Sequence, residues 1–388
     1  MNKRAFIVIS GTMFVSMLGM GIVTPFIPIY ADQMGASALE VGLVQAGFSI
    51  SMIFTLLFIG RMSDRFGRKV FLCIGLALLS IASLAFIWAE NPAQLIITRL
   101  FQGLGASMHL PIAQSYLGDI TPEGDEGKWM GYFNAVMFSG MGMGPLIGGV
   151  LTDVFSISTT FIVMAVLNII GFVITLTLLR EMARRKASRE GELSVIAPMR
   201  SRVMRGVFTF RMTTGFGTSA LMAFLPLFAD RMLALSASLI GLLLAARTPV
   251  SILQSYTGRL ADRYNRRLLV VFSGAVSMVF LLVLPWSTGF WTLLVFYMFV
   301  GIGQSLGMPA SNAYVVEEGR EYGMGACMTL FMLAMQIGNG IGPVLLGEIA
   351  DIFGLVSVFY SAAGFLLLGV LIFILMVRKP SLNMLYNR

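Results

Sequence analysis

The chain has 388 residues, of which 57% are hydrophobic and 12% charged, and a mean hydropathy of +0.85. Soluble domains run at about 25% charged residues, so this composition excludes a water-soluble globule and points to lipid as the solvent. The net charge of +8 suits contact with anionic lipid headgroups; nucleic-acid binding would need a soluble basic surface that is lacking here. With only Cys73 and Cys327, neither a disulfide framework nor a metal cluster is expected.

Apolar stretches of about 20 residues, long enough to cross a bilayer as a helix, run over 5–28, 40–60, 70–89, 94–116, 129–151 and 159–179. Six more follow at 203–228, 237–257, 268–287, 292–314, 326–348 and 356–377. Runs such as Val70 to Leu79 lack the period-2 alternation of barrel strands, so the spans read as helices. Lys3 and Arg4 before the first span raise the alternative of a signal peptide. The apolar run is longer than a signal core, however, and the start of the second half repeats the pattern. With both termini cytoplasmic, 23 of the 27 Lys and Arg fall in cytoplasmic segments, leaving Arg99, Arg211 and Arg247 inside spans and Arg231 in an outer loop. Basic residues resist translocation, so this orientation in the inner (plasma) membrane is expected. The organisation predicted is 1–179 as one six-helix bundle, 180–202 as a cytoplasmic linker with a short amphipathic piece, and 203–388 as a second bundle.

The halves repeat. A shift of 198 residues carries Gly60-Arg61-Met62-Ser63-Asp64-Arg65-Phe66-Gly67-Arg68-Lys69 onto Gly258-Arg259-Leu260-Ala261-Asp262-Arg263-Tyr264-Asn265-Arg266-Arg267. The same shift relates Pro28 to Pro226, Asp32 to Asp230, Gly103 to Gly301, Pro111 to Pro309, Pro145 to Pro343 and Asp153 to Asp351, with a one-residue slip near Gly42 and Gly241. Internal duplication in an apolar chain points to a transporter.

The loop between spans 2 and 3 combines a small residue, a carboxylate at a helix end, a turn glycine and three cations in Gly60, Asp64, Arg65, Gly67, Arg68 and Lys69. It resembles the signature loop of the major facilitator superfamily at every defining position, and the likeness extends from Arg4 to Lys379. The resemblance implies an all-α membrane protein of 12 transmembrane helices in two pseudo-symmetric six-helix bundles. It also implies that Asp64 faces the N-terminus of span 11 near Gly325 and Ala326, where helix dipole and free N–H groups favour an anion. By the repeat, Asp262 should face the start of span 5 near Gly127. In such folds Asp119 lies within reach of Arg65 or Arg68, and Glu317 within reach of Arg263 or Arg266. These groups would act as a conformational switch, since a few kcal/mol suffices to bias one conformer.

In span 4, Arg99 stands one turn from Gln102 and is followed by Gly103 and Gly105. This resembles the second conserved motif of the drug:proton antiporter branch, and a charge inside a span is presumptively functional; the alternative is an arginine snorkelling toward the outer end. Tyr297 and Val300 occupy the equivalent positions in the second half, so the first half is the better candidate for ion coupling. Span 5 carries Gly140, Gly142, Gly144, Pro145, Gly148 and Gly149, matched in span 11 by Gly338, Gly340, Gly342, Pro343 and Gly347. Glycines permit close helix approach and proline kinks the rod; the pattern resembles the motif of the export branch.

His109 is the single histidine; free imidazole titrates near neutral pH, so the residue is a candidate proton relay, the alternative being a buried neutral ring bonded to its own backbone. Asp32 is the other candidate for protonation. The antiporters this chain resembles usually carry an acid deeper in span 1 or 4, and here span 1 has none from Ala5 to Tyr30. Arg211 and Arg247 have no acid at mid-depth to balance them, so their cavity should attract an anion or the acidic head of an amphiphile. Phe26, Met137 and Met335, with Phe48 and Phe216, are candidates to line an adaptable apolar cavity.

The function expected is secondary active transport by alternating access, as proton-coupled efflux of small amphiphilic molecules; a symporter or a flippase for an organic anion or lipid is the alternative. An enzyme is disfavoured because no span carries a nucleophile with a base at catalytic spacing and no phosphate-binding loop is present. A receptor that has kept the fold would bind without flux. No cofactor is called for. The partners expected are an amphiphilic small molecule, protons and the bilayer, with the chain acting as a monomer.

Overall fold

Backbone groups inside a bilayer have no water to bond, so a spanning chain this apolar satisfies them along helices. The computed structural model describes residues 3–122, 125–181, 196–250 and 265–377; for Leu56, Leu57, Gly60, Arg61, Asp64, Glu126 and Gly127 it describes the backbone alone. The first half consists of α1 (Lys3–Val23), α2 (Ile27–Gln33), α3 (Ala38–Phe66), α4 (Arg68–Ala85), α5 (Pro92–Ile120), α6 (Glu126–Val154) and α7 (Ile157–Leu178). The second contains α8 (Arg202–Ser219), α9 (Leu225–Leu233), α10 (Ala237–Ala245), α11 (Arg266–Val283), α12 (Phe290–Tyr322), α13 (Met324–Phe353) and α14 (Ser357–Met376).

The twelve expected spans correspond to α1 with α2, then α3 to α7 singly, α8 with α9, and α10 to α14. Ten of the helices among the described residues are long and apolar enough to cross a membrane. The fourth span, α5, has the length but is diluted by Arg99, Gln102 and His109, and the eighth is described only as far as Val250. Arg231 was expected in a loop. It belongs instead to the last turn of α9, because the seventh span runs helically past its expected end at residue 228.

Both first spans of the repeats break at one place. Thr24–Phe26 forms a 3-10 turn before Pro28, and Ala220–Phe224 forms a π turn before Pro226. A proline nitrogen cannot donate to the carbonyl four residues back, so regular α geometry lapses and resumes beyond it.

The chain forms two compact units that cut across the repeats. The first holds the described residues within Met1–Ser188, Leu221–Thr248 and Pro343–Leu355; the second holds those within Arg189–Ala220, Pro249–Gly342 and Val356–Arg388. In the first unit α1 packs on α6 and α7, α5 packs on α3 and α4, and α10 packs on α6. In the second, α8 packs on α14, and α11 packs on both α12 and α14.

Glycine decides how closely these rods approach. A Cβ on Gly144 would stand 2.5 Å from the Cα of Gly21, and one on Gly140 would stand 2.6 Å from the carbonyl oxygen of Phe14. In the second unit a Cβ on Gly215 would lie 2.9 Å from the Cα of Gly338. Gly144→Ala should therefore force α1 and α6 apart and cost about 1–3 kcal/mol. Gly11→Ala, where nothing lies within 4 Å, is the control. Thermal unfolding of both variants in detergent checks this, and equal midpoints would remove the close-approach argument.

Candidate functional site

The first unit carries two carboxylates in equivalent positions, each capping a helix from the other repeat. Asp153, at the end of α6, accepts hydrogen bonds from the backbone N–H groups of Ala237 (3.0 Å) and Ser238 (2.8 Å), which open α10. Asp351, at the end of α13, accepts from Ala38 and Leu39 (2.8 Å each), which open α3. The first N–H groups of a helix lack intrahelical partners and carry the positive end of its dipole, so an anion there satisfies both. Ser236 and Ser37 add side-chain caps, Ser37 within a capping box with Glu40.

The backbones interlock just inside these caps. Gly241 faces the carbonyl of Pro145, and Gly42 faces that of Pro343, each with no room for a Cβ. Gly149 and Gly347 lie as tightly against Ser238 and Leu39, where a Cβ would approach to 2.9 and 2.8 Å. The glycine motif of α6 thus has two faces: Gly140, Gly144 and Gly148 meet α1, while Pro145 and Gly149 meet α10. In α13, Pro343 and Gly347 meet α3, and Gly342 packs against Ser219 and Phe216 of α8 in the second unit. At the same end Arg231 binds Asp32 through two hydrogen bonds, one of 2.9 Å from Nε and a second from Nη2. The carboxylate considered for protonation is therefore held in an ion pair. Asp153 and Asp351 were visible in the sequence only as a matched pair; the signal that could have assigned them is the serine cap preceding each partner helix.

The opposite end carries the loop motif. Arg68 pairs with Asp119 at 2.8 Å within the first unit, and Arg266 pairs with Glu317 at 3.3 Å within the second. Gly67 has φ +105°, a conformation that strains any side-chain-bearing residue; in the second repeat Asn265 instead caps α11 through its side chain. Glu181, not anticipated, lies against this turn, its Oε1 accepting from Lys69 N–H at 3.4 Å. Arg65 is exposed beside Phe66. Gly60 and Asp64 are described in backbone alone, and Asp262 and Arg263 lie outside the described residues.

Within the first unit, two turns into α5, Arg99 is 1% exposed, which replaces the snorkelling alternative with burial. Its Nη1 donates to Gln102 Oε1 at 2.8 Å, its Nη2 donates to Gln45 Oε1, and its Cζ lies 5.2 Å from the centre of the Phe48 ring. Gln45 of α3 was missed, although it is the one amide in the second apolar stretch. His109 is buried and neither ring nitrogen bonds to a described residue, so the bond to its own backbone considered for it is not made. Phe26 is fully enclosed beside Gly148, and Met137 sits in the apolar core with Met13 and Phe133; neither offers surface to a cavity in this structure. Arg247 follows a turn at Ala246 and is half-buried. In the second unit Arg211 is buried against Phe331, and the half-buried Met335 touches α8 through its carbonyl at Gly215.

A family model described as Major Facilitator Superfamily matches residues 9–246 and 207–384. An uncharacterized MFS-type transporter of Methanocaldococcus jannaschii is 27% identical over 379 residues, covering 96% of this chain and 97% of that one. The quinolone resistance protein NorA of Staphylococcus aureus is 26% identical over 377 residues, covering 96% of each. Among solved structures, the nucleoside transporter NupG superposes with a TM-score of 0.83 at 16% identity over 98% of this chain and 100% of its own. A bacterial homolog of the human lysosomal transporter Spinster gives 0.80 at 14%, over 98% and 99%. These two likenesses establish the fold alone.

Replacing either capping carboxylate by its amide removes the charge and one acceptor. Asp153→Asn should weaken the hold on the Ala237 and Ser238 amides, and Asp351→Asn that on Ala38 and Leu39, each at a cost of about 1 kcal/mol. Hydrogen exchange at those four amides should quicken about fivefold in the matching variant only; unchanged exchange would show the caps to be energetically idle.

Proposed function

This chain belongs to the Major Facilitator Superfamily, and from that premise we propose that it is a proton-coupled exporter of small amphiphilic molecules. It lies in the plasma membrane with both termini cytoplasmic, and its halves, 1–179 and 203–388 joined by 180–202, expose a site to each side in turn. The observation that carries the reading is the pair of equivalent caps, Asp153 on α10 and Asp351 on α3. Both tie one repeat to the other at the end that the basic residues assign to the outside. Contacts of this kind are what an alternating transporter makes in one conformer and releases in the other, and a bias of a few kcal/mol sets the populations.

Export rather than import is supported by the glycine motif of α6 and by the likeness to a quinolone resistance protein. Arg99, buried and held by Gln45 and Gln102, is the group we assign to ion coupling. A fixed cation of this kind raises or lowers the cost of a second charge nearby according to its sign. Asp64 and Asp262, with Arg65, Arg68, Arg263 and Arg266, form the switch of the cytoplasmic side in this reading. The buried Arg211 also suits a symporter or flippase for an organic anion, and the direction of proton movement separates the two.

Inside-out vesicles holding a respiration-generated pH gradient, challenged with cationic, neutral and anionic amphiphiles, test the proposal. Particular compounds should collapse the gradient, and Asp64→Asn and Arg99→Ala should each slow that collapse by about tenfold or more while the protein remains folded in the membrane. Acidification in the opposite sense would favour symport, and silence across the panel would sink proton-coupled export of amphiphiles.

A further inference from the structure

The second unit contains a narrow cavity among α8, α11, α12 and α14, lined by Arg211, Thr214, Ser277, Gln304, Phe210 and Met308, among others. Arg211 dominates it. The side chain is 8% exposed, its Nε is buried without a partner, and it makes no hydrogen bond or ion pair to any described residue. Its Cζ lies 4.4 Å from the centre of the Phe331 ring, a contact that attracts the guanidinium without neutralising it. None of the lining residues is acidic. A buried cation is ordinarily paired or hydrogen-bonded, and no described residue supplies this one with a counter-ion.

We propose that the Arg211 cavity binds the carboxylate of an amphiphilic substrate; the word substrate rests on the transport reading above. Three features select that chemistry. The planar guanidinium offers parallel N–H donors that match a carboxylate. Ser277, 3% exposed, makes no hydrogen bond to a described residue and so has a hydroxyl to donate, whereas Thr214 already donates to the Phe210 carbonyl at 2.8 Å. The free volume of about 10 Å³ holds one oxygen-sized group, enough for one oxygen of a carboxylate. Phe210, Met308 and Leu366 line the same cavity and give an apolar body something to lie against.

The test uses the full-length protein in discs of phosphatidylcholine, with binding of 4-phenylbenzoate and of the neutral 4-phenylbenzamide followed by calorimetry. The acid should bind wild type; Arg211→Gln should weaken it by about tenfold or more, Arg211→Lys should recover part of the loss, and the amide should be indifferent to both. If Arg211→Gln does not fold, Ser277→Ala serves, with the acid weakened and the amide unchanged. Equal changes for acid and amide, or acid binding unaffected by either substitution, would overturn the assignment. So would an Arg211-dependent signal from chloride alone, or from discs containing phosphatidylglycerol, which would make the ligand an inorganic anion or a lipid. Because binding is read without a pH gradient, Arg211-dependent binding without proton flux defeats the exporter reading alone. Flux that ignores the carboxylate defeats this inference alone.

Discussion

Everything in this molecule follows from how closely two helices can come when the solvent is hydrocarbon. Lipid tails are as apolar as leucine, so burial offers little to drive helix against helix, and packing at short range takes over. That packing needs missing Cβ atoms. Gly144 on Gly21, Gly215 against Gly338, and the carbonyls of Pro145 and Pro343 over Gly241 and Gly42 are among the places where this chain supplies them. Once the backbones touch there, the ends of α6 and α13 are carried to the starts of α10 and α3, and Asp153 and Asp351 meet the free N–H groups. The electrostatics is thus downstream of the steric fit: a carboxylate two or three ångströms farther off would be solvated and would cap nothing.

The duplicated halves are alike in these contacts and unlike in their charges. Arg99, wedged between two glutamines, has its counterpart in Tyr297, which is as deeply buried but carries no charge. Arg211 has no basic counterpart in the first half. Symmetry has therefore been kept where the repeats must lock together and given up where each faces its own chemistry, so that one unit holds a cation bonded to two glutamines and the other a cation against an aromatic ring.

Hydropathy and the 198-residue register made the spans, their number and the repeat legible, because each depends on composition over many residues. The pairings of Arg68 with Asp119 and Arg266 with Glu317 could be anticipated from the family likeness because both partners sit at helix ends of fixed order. What escaped was lateral: a glycine motif says that a helix is approached closely, not which helix approaches it. The two-faced use of α6 is for that reason unreadable in one dimension. Gln45 escaped because one amide in an apolar run has no period to betray its direction. Phe26 and Met137 look like cavity residues by type, and the 3-10 turn after α1 and the rotation of α6 turn them inward to the packing.

The points at which the chain passes from one compact unit to the other inside a helix are Ala220 to Leu221, Thr248 to Pro249 and Gly342 to Pro343. The first lies in the π turn that leads to Pro226, and the other two fall directly at a proline. A proline withdraws one rung from the ladder of hydrogen bonds that stiffens a helix. Three rods therefore cross from one unit to the other at or near a proline, where the helix has lost part of its hydrogen-bond ladder.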